Sequence, residues 1–155
     1  MLDDYIERET DASKLKGYLD RIIQILRGNA NQFSNEDPYL FGWYHWWTRV
    51  KKVTHHEWQE RFIDNTTNYL NAQIWELNNR IKKQIPSIED YLIKRQHTGG
   101  VLPFFDLIEV VARVYLPPEA MNSLVIELIS AANNLLAWSN DIMSLKKGIS
   151  NWRSS

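Results

Sequence analysis

Asp3, Asp4 and Glu7 stand three and four residues apart, so a helix carries all three carboxylates on one face. Like charges placed this way repel one another, and a divalent cation turns that cost into a gain. Magnesium in particular takes one or two carboxylates together with water and substrate phosphate oxygens. A solvated acidic helix end has the same composition, so the cluster is read together with what lies elsewhere. Near the other end Asn140, Ser144 and position 148 recur at i, i+4 and i+8. Their amide and hydroxyl oxygens form a weaker ligand set than aspartates, suited to a metal that arrives with its substrate. Position 148 is glycine and adds nothing. Lys147 beside it is a point charge able to reach a phosphate oxygen, or simply a cation at a helix C-terminus. Between these two sets runs Arg95-Gln96-His97-Thr98-Gly99-Gly100. A guanidinium one turn before a forced helix break can clamp a diphosphate, and the broken helix offers free carbonyls to a cavity. Such carbonyls favour positive charge developing on an ionised hydrocarbon.

The elements that must position these groups read as helices throughout. No segment alternates with period two over a useful length, whereas several carry apolar residues at i, i+3, i+4 spacing. Residues 1–9 have the pattern of a helix end. Leu15, Leu19, Ile22, Ile23 and Leu26 form the stripe of a helix over 12–27, stopped by Gly28. Glu36-Asp37-Pro38 starts the next, over about 38–52, which holds Trp43, Trp46 and Trp47. A long helix follows over about 55–83. Ser87 and Asp90 form the capping pair of another. Two glycines and Pro103 then interrupt the chain. The spacing predicts resumption over Phe104–Val114 and a last helix over about 118–147. Its apolar run from Leu124 to Trp138 is expected to be buried and to lead into Asn140.

The chain has 155 residues and fits one domain, 1–155. A net charge of −1 with interspersed signs gives no footprint for nucleic acid or an anionic membrane. Without cysteine there is neither a disulfide nor a thiolate metal site. No apolar run approaches the roughly 20 residues of a membrane anchor, and the acidic start is no signal peptide. A soluble, cytoplasmic protein is expected. Seven Trp, seven Tyr and five Phe suit a large core or an apolar pocket. His55-His56-Glu57 is no zinc motif, since no second histidine follows at the helical spacing. Asn65-Thr66-Thr67 is polar helix surface.

Taken in order, the acidic cluster, the arginine with its glycine pair, and Asn140-Asp141 through Ser144 to Lys147 resemble the class I terpene synthases of the microbial sesquiterpene cyclase type. Arg95 precedes Asn140 by 45 residues, close to the family's separation. The intervening text is similar too, notably Trp75-Glu76, Pro86-Ser87-Ile88-Glu89-Asp90-Tyr91, Arg95 through Pro103, Phe105-Asp106-Leu107-Ile108-Glu109 and Trp138-Ser139-Asn140-Asp141. The resemblance implies an all-α antiparallel bundle of the class I terpenoid synthase type. It implies Mg2+ held by Asp3, with Asp4 and Glu7 supporting, and by Asn140 and Ser144. Arg95 would sense the diphosphate, Lys147 would hydrogen-bond it, and Thr98 and Gly99 would be the linker and effector positions. The implied reaction is magnesium-triggered loss of diphosphate from a prenyl diphosphate, farnesyl diphosphate above all, followed by cyclisation to a sesquiterpene. Two features depart from the family. Gly148 stands where the family carries a ligand glutamate. The family also has helices before the acidic motif and after the second one, so the chain reads as the central portion of the domain, incomplete at both ends and weakly active. A non-catalytic helical fragment or interaction module is the rival expectation. A chain-elongating prenyltransferase would want a second aspartate-rich motif, for which only Asn140-Asp141 is available.

Overall fold

The computed structural model describes residues 5, 6, 8–29 and 37–153, the last eight of these by backbone alone. Among the described residues the main helices are α1 (Ala12–Leu26), α2 (Pro38–Val50), α3 (His56–Lys82), α4 (Ile88–Thr98), α5 (Val101–Ala112) and α6 (Ser123–Arg153). Among the described residues there is no strand, as the missing period-two pattern requires.

The helix ends follow local chemistry. Asp11 and Asp37 cap α1 and α2 through side-chain oxygens that accept from backbone N–H groups of the first turn. Pro38 sits at the start of α2, where no N–H is needed. Gly28, at φ 75°, ends α1. Ser87 Oγ accepts from Asp90 N at 3.0 Å and donates to Asp90 Oδ2 at 2.8 Å, the expected reciprocal cap.

α3 is the central element and touches α1, α4 and α5, while α6 lies across α4 and α5. The core is built where α1, α2 and α3 meet, from Leu15, Leu19, Ile22, Leu40, Trp47, Trp58, Phe62 and Leu70. Trp47 stacks on Phe62 at 5.6 Å and Trp58 on Phe62 at 5.1 Å. Both indoles find acceptors, Trp47 Nε1 giving to Leu26 O and Trp58 Nε1 to Asp106 O, each at 2.8 Å. Buried tryptophans are held in this way because an unpaired N–H inside a core is costly.

Four expectations from the sequence are corrected here. Thr66, in a stretch expected to be polar helix surface, is buried on α3. Pro117–Glu119 starts only a short 3-10 turn, Pro118–Ala120; α6 begins at Ser123, its first turn capped by Asn122 Oδ1 accepting from Val125 N at 3.2 Å. The helix after the break runs Val101–Ala112, starting two residues ahead of Pro103. The run from Leu124 to Trp138 is not buried: Leu124, Leu128, Leu135 and Leu136 are all more than half exposed. α6 meets α4 and α5 along a narrow line that buries Asn133 and Ala137. Leu124, Ile126, Leu128, Leu135 and Leu136 on its other faces are exposed.

Candidate functional site

The site is a cleft of about 1090 Å³ between α3, α4, α5 and α6. Its apolar walls come from Trp43, Trp46, Phe62, Tyr69 and Phe104. Trp43 and Trp46 meet edge to face at 5.6 Å. Its polar rim holds Glu76, Arg80, Arg95 and Asn140, and Ile6 closes one end. Arg80 Nη2 donates to Ile6 O at 3.1 Å and to Glu9 O at 2.8 Å. Ile6 and Glu9 are thereby tied to α3 beside the cleft.

The helix break lies where the glycines predicted it. α4 ends at Thr98; Gly99 remains right-handed, and Gly100 turns left-handed at φ 66°. Pro103 falls in the first turn of α5 and costs no hydrogen bond there. It has one effect upstream: in a continuous helix residue 103 would donate to Gly99 O, and proline has no N–H to give. Gly99 lines the cleft.

The general expectation of free carbonyls is narrowed by two amides that the sequence reading missed. Gln73 Nε2 donates to Thr98 O at 3.0 Å and Asn133 Nδ2 to Gln96 O at 2.8 Å. Both amide side chains are buried. They come from opposite sides, Gln73 on α3 and Asn133 on α6. A signal for Gln73 exists in the sequence, because it shares helical spacing with the buried Thr66, Leu70 and Leu77. A polar group at a core position needs a partner.

Arg95 points to α6. Its Nε lies 2.9 Å from Asp141 Oδ2, its Nη2 2.7 Å from Asp141 Oδ1, and its Nη1 3.1 Å from Thr98 Oγ1. Tyr91, one turn earlier, donates its hydroxyl to the same carboxylate. Burial pushes the Asp141 carboxyl up, but the bonds from Arg95 and Tyr91 outweigh it and hold the group below the usual carboxylate range. Glu76 also faces Arg95; desolvation raises its pKa against the pull of Thr98 and Arg95.

Of the residues singled out in the sequence, Arg95, Thr98, Gly99 and Asn140 meet at this one cleft. Ser144 is exposed one turn beyond Asn140 on α6. Asp3, Asp4 and Glu7 and the side chain of Lys147 lie outside the described residues, as does Gly148 apart from its backbone. Among the described residues there is no cluster of three or more histidine or carboxylate side chains to hold a metal.

A helical cleft with an arginine at a helix break and an asparagine on the facing helix agrees with what the whole sequence matches. The profile described as terpene synthase family 2, C-terminal metal binding, covers residues 1–154. The chain belongs to this family.

Among its relatives, the (+)-eremophilene synthase of Sorangium cellulosum is 32% identical over 104 residues, which cover 66% of this chain and 32% of that protein. The (−)-delta-cadinene synthase of Streptomyces clavuligerus is 31% identical over 149 residues, 95% of this chain and 45% of that one. A (+)-T-muurolol synthase from Roseiflexus castenholzii, named as cyclising farnesyl diphosphate, is 37% identical over 91 residues, 58% of this chain and 28% of its own length. The fold is that of germacradien-4-ol synthase from Streptomyces citricolor, with a TM-score of 0.81 at 21% identity, over 92% of this chain and 48% of that structure. The terpene synthase chain described here thus spans about a third to a half of the length of these relatives.

Proposed function

We propose that the cleft binds a prenyl diphosphate, with farnesyl diphosphate favoured, and that the chain serves the magnesium-dependent loss of diphosphate and cyclisation to a sesquiterpene in the cytoplasm. The observation that carries this reading is the joint placement of Arg95, the Gly99–Gly100 break and Asn140 around one aromatic cleft. The named relatives that cyclise farnesyl diphosphate support the choice of substrate. Among the described residues no helix is long and apolar enough to cross a membrane.

The donors in hand suit a hard cation. Asn140 on the cleft wall and Ser144, exposed one turn beyond it, offer neutral oxygens, and among the described residues no histidine lines the cleft. These two residues would hold a magnesium ion, joined by the Asp3, Asp4 and Glu7 cluster. When bound, magnesium supplies charge stabilisation for the departing diphosphate. The chain's own groups account for the rest. Arg95 offers a planar fork to phosphate oxygens. Trp43, Trp46, Tyr69 and Phe104 present π faces that favour cationic carbon and keep water away. Gly99 O adds a fixed dipole where positive charge develops.

The test is incubation of the chain with farnesyl diphosphate and magnesium, following released diphosphate and volatile products. Weak magnesium-dependent release that disappears in Arg95→Ala and Asn140→Ala is expected. Release that is indifferent to both substitutions would count against the reading.

A further inference from the structure

We propose that Asp141 is a positioning residue that sets how strongly Arg95 takes an oxyanion: a phosphate oxygen reaches this guanidinium only in competition with the Asp141 carboxylate. The inference rests on the reading of Arg95 as the group that meets the anion, and it goes beyond that reading by assigning control of the contact to a different residue.

The argument begins with the donors. A guanidinium has five N–H groups. Asp141 engages the Nε–H and one Nη2–H, and Thr98 engages one Nη1–H. One N–H remains on each terminal nitrogen. A bidentate phosphate can use those two beside a carboxylate, against like-charge repulsion, or take the Asp141 edge in exchange. In either case the carboxylate opposes it.

The carboxylate is also held in place. Tyr91 on α4 gives its hydroxyl to Asp141 Oδ2, the oxygen that also takes Arg95 Nε, so Asp141 on α6 is fixed by two residues one helical turn apart. The close pairing with the Arg95 guanidinium favours its charged form. The ion pair offsets part of the Arg95 charge, and an anion meets less positive potential than a lone arginine would offer. The pair is only partly buried, with 14% of the Arg95 side chain and 32% of the Asp141 side chain accessible. An exchange of partners is feasible in such a setting, where it would not be in a dry core.

The probe is inorganic pyrophosphate, titrated calorimetrically onto the 155-residue chain in the presence of EDTA. Asp141→Asn keeps the shape and removes the charge, and should bind pyrophosphate about three- to tenfold more tightly than the unmodified chain. Asp141→Glu should restore the weaker binding, and Arg95→Ala should abolish binding in both backgrounds. A purely structural role for Asp141 predicts the opposite sign, because loosening Arg95 weakens the site. Circular dichroism checks the fold, with Asp141→Ser as the substitute if the asparagine variant does not fold. Unchanged or weaker binding in the neutral variants, with Arg95 still required, overturns the inference and leaves the reading of Arg95 standing. Binding that ignores Arg95→Ala, or no binding by any variant, overturns both.

Discussion

Tyr69 fills the space that any side chain at Gly100 would need. A Cβ placed on Gly100 lies 3.1 Å from Tyr69 Cε2 and 3.2 Å from Cδ2. The same glycine is the residue that turns left-handed to end α4 and begin α5. Contact and backbone angle thus demand glycine independently at the one point where the helix is broken.

Gly100→Ala should therefore destabilise the fold by about 1–3 kcal/mol, the sum of a left-handed alanine and a displaced ring. Urea denaturation measures it. Gly17→Ala is the control: nothing lies within 4 Å of a Cβ there, and an alanine inside α1 should leave stability unchanged or raise it slightly.

Asp106 anchors α5 to α3. Its side chain is buried and takes Arg61 Nε and Asn65 Nδ2, each at 2.8 Å, while Arg61 also pairs with Glu109. Asp106→Ala strands Arg61 and Asn65 and should cost about 3–5 kcal/mol. Replacing Arg61 and Asp106 together by Met and Leu should recover only part of that loss, because Asn65 and Glu109 then lack these partners. Both values come from denaturation midpoints.

Removing one of the two amides at the end of α4 leaves a buried carbonyl without its donor. Gln73→Leu and Asn133→Leu should each cost about 1–3 kcal/mol, again measured by denaturation. Asn133→Leu carries a compensation that Gln73→Leu lacks, since Asn133 Oδ1 is already buried without a partner. Its cost should fall at the lower end.

His97 gives a pH signature. Burial lowers its pKa from 6.5, helped by Lys94, and Nδ1 is enclosed without a hydrogen-bond partner. The folded chain therefore holds the proton less well than the unfolded chain. Stability should be full above about pH 6.5 and should decline as the pH falls below it. Melting temperatures across pH 5–8 measure the slope, and His97→Gln should flatten it.

Much of this architecture was legible in the sequence because it depends on local chemistry. Gly28, Asp37-Pro38 and Ser87 each fix a helix end through bonds made within a few residues, and the observed ends agree. The break at Gly99–Gly100 was legible for the same reason. Pro118 misled because proline and glutamate also open a 3-10 turn, and the side chain that caps α6 is Asn122. The stripe from Leu124 to Trp138 predicted a helix correctly, but periodicity alone does not say which faces of a helix meet neighbours. Asp141 went unassigned because its role depends on Tyr91 and Arg95, both about 50 residues away in sequence. Gln73 and Asn133 belong to that class too: each bonds a carbonyl of a different helix.

The main-chain oxygen of Gly99, a residue that lines the cleft, differs in kind from the polar side chains there. A codon change can replace Trp43, Glu76 or Asn140 outright, but no codon change deletes a main-chain carbonyl. It can be lost only by rebuilding the turn, and Gly100 and Pro103 each resist that. The walls are thus free to diverge from one descendant to another, altering the volume and contour of the cleft, while this main-chain dipole is inherited unchanged. Engineering for a new product should begin with the aromatic positions and leave residues 99–103 untouched.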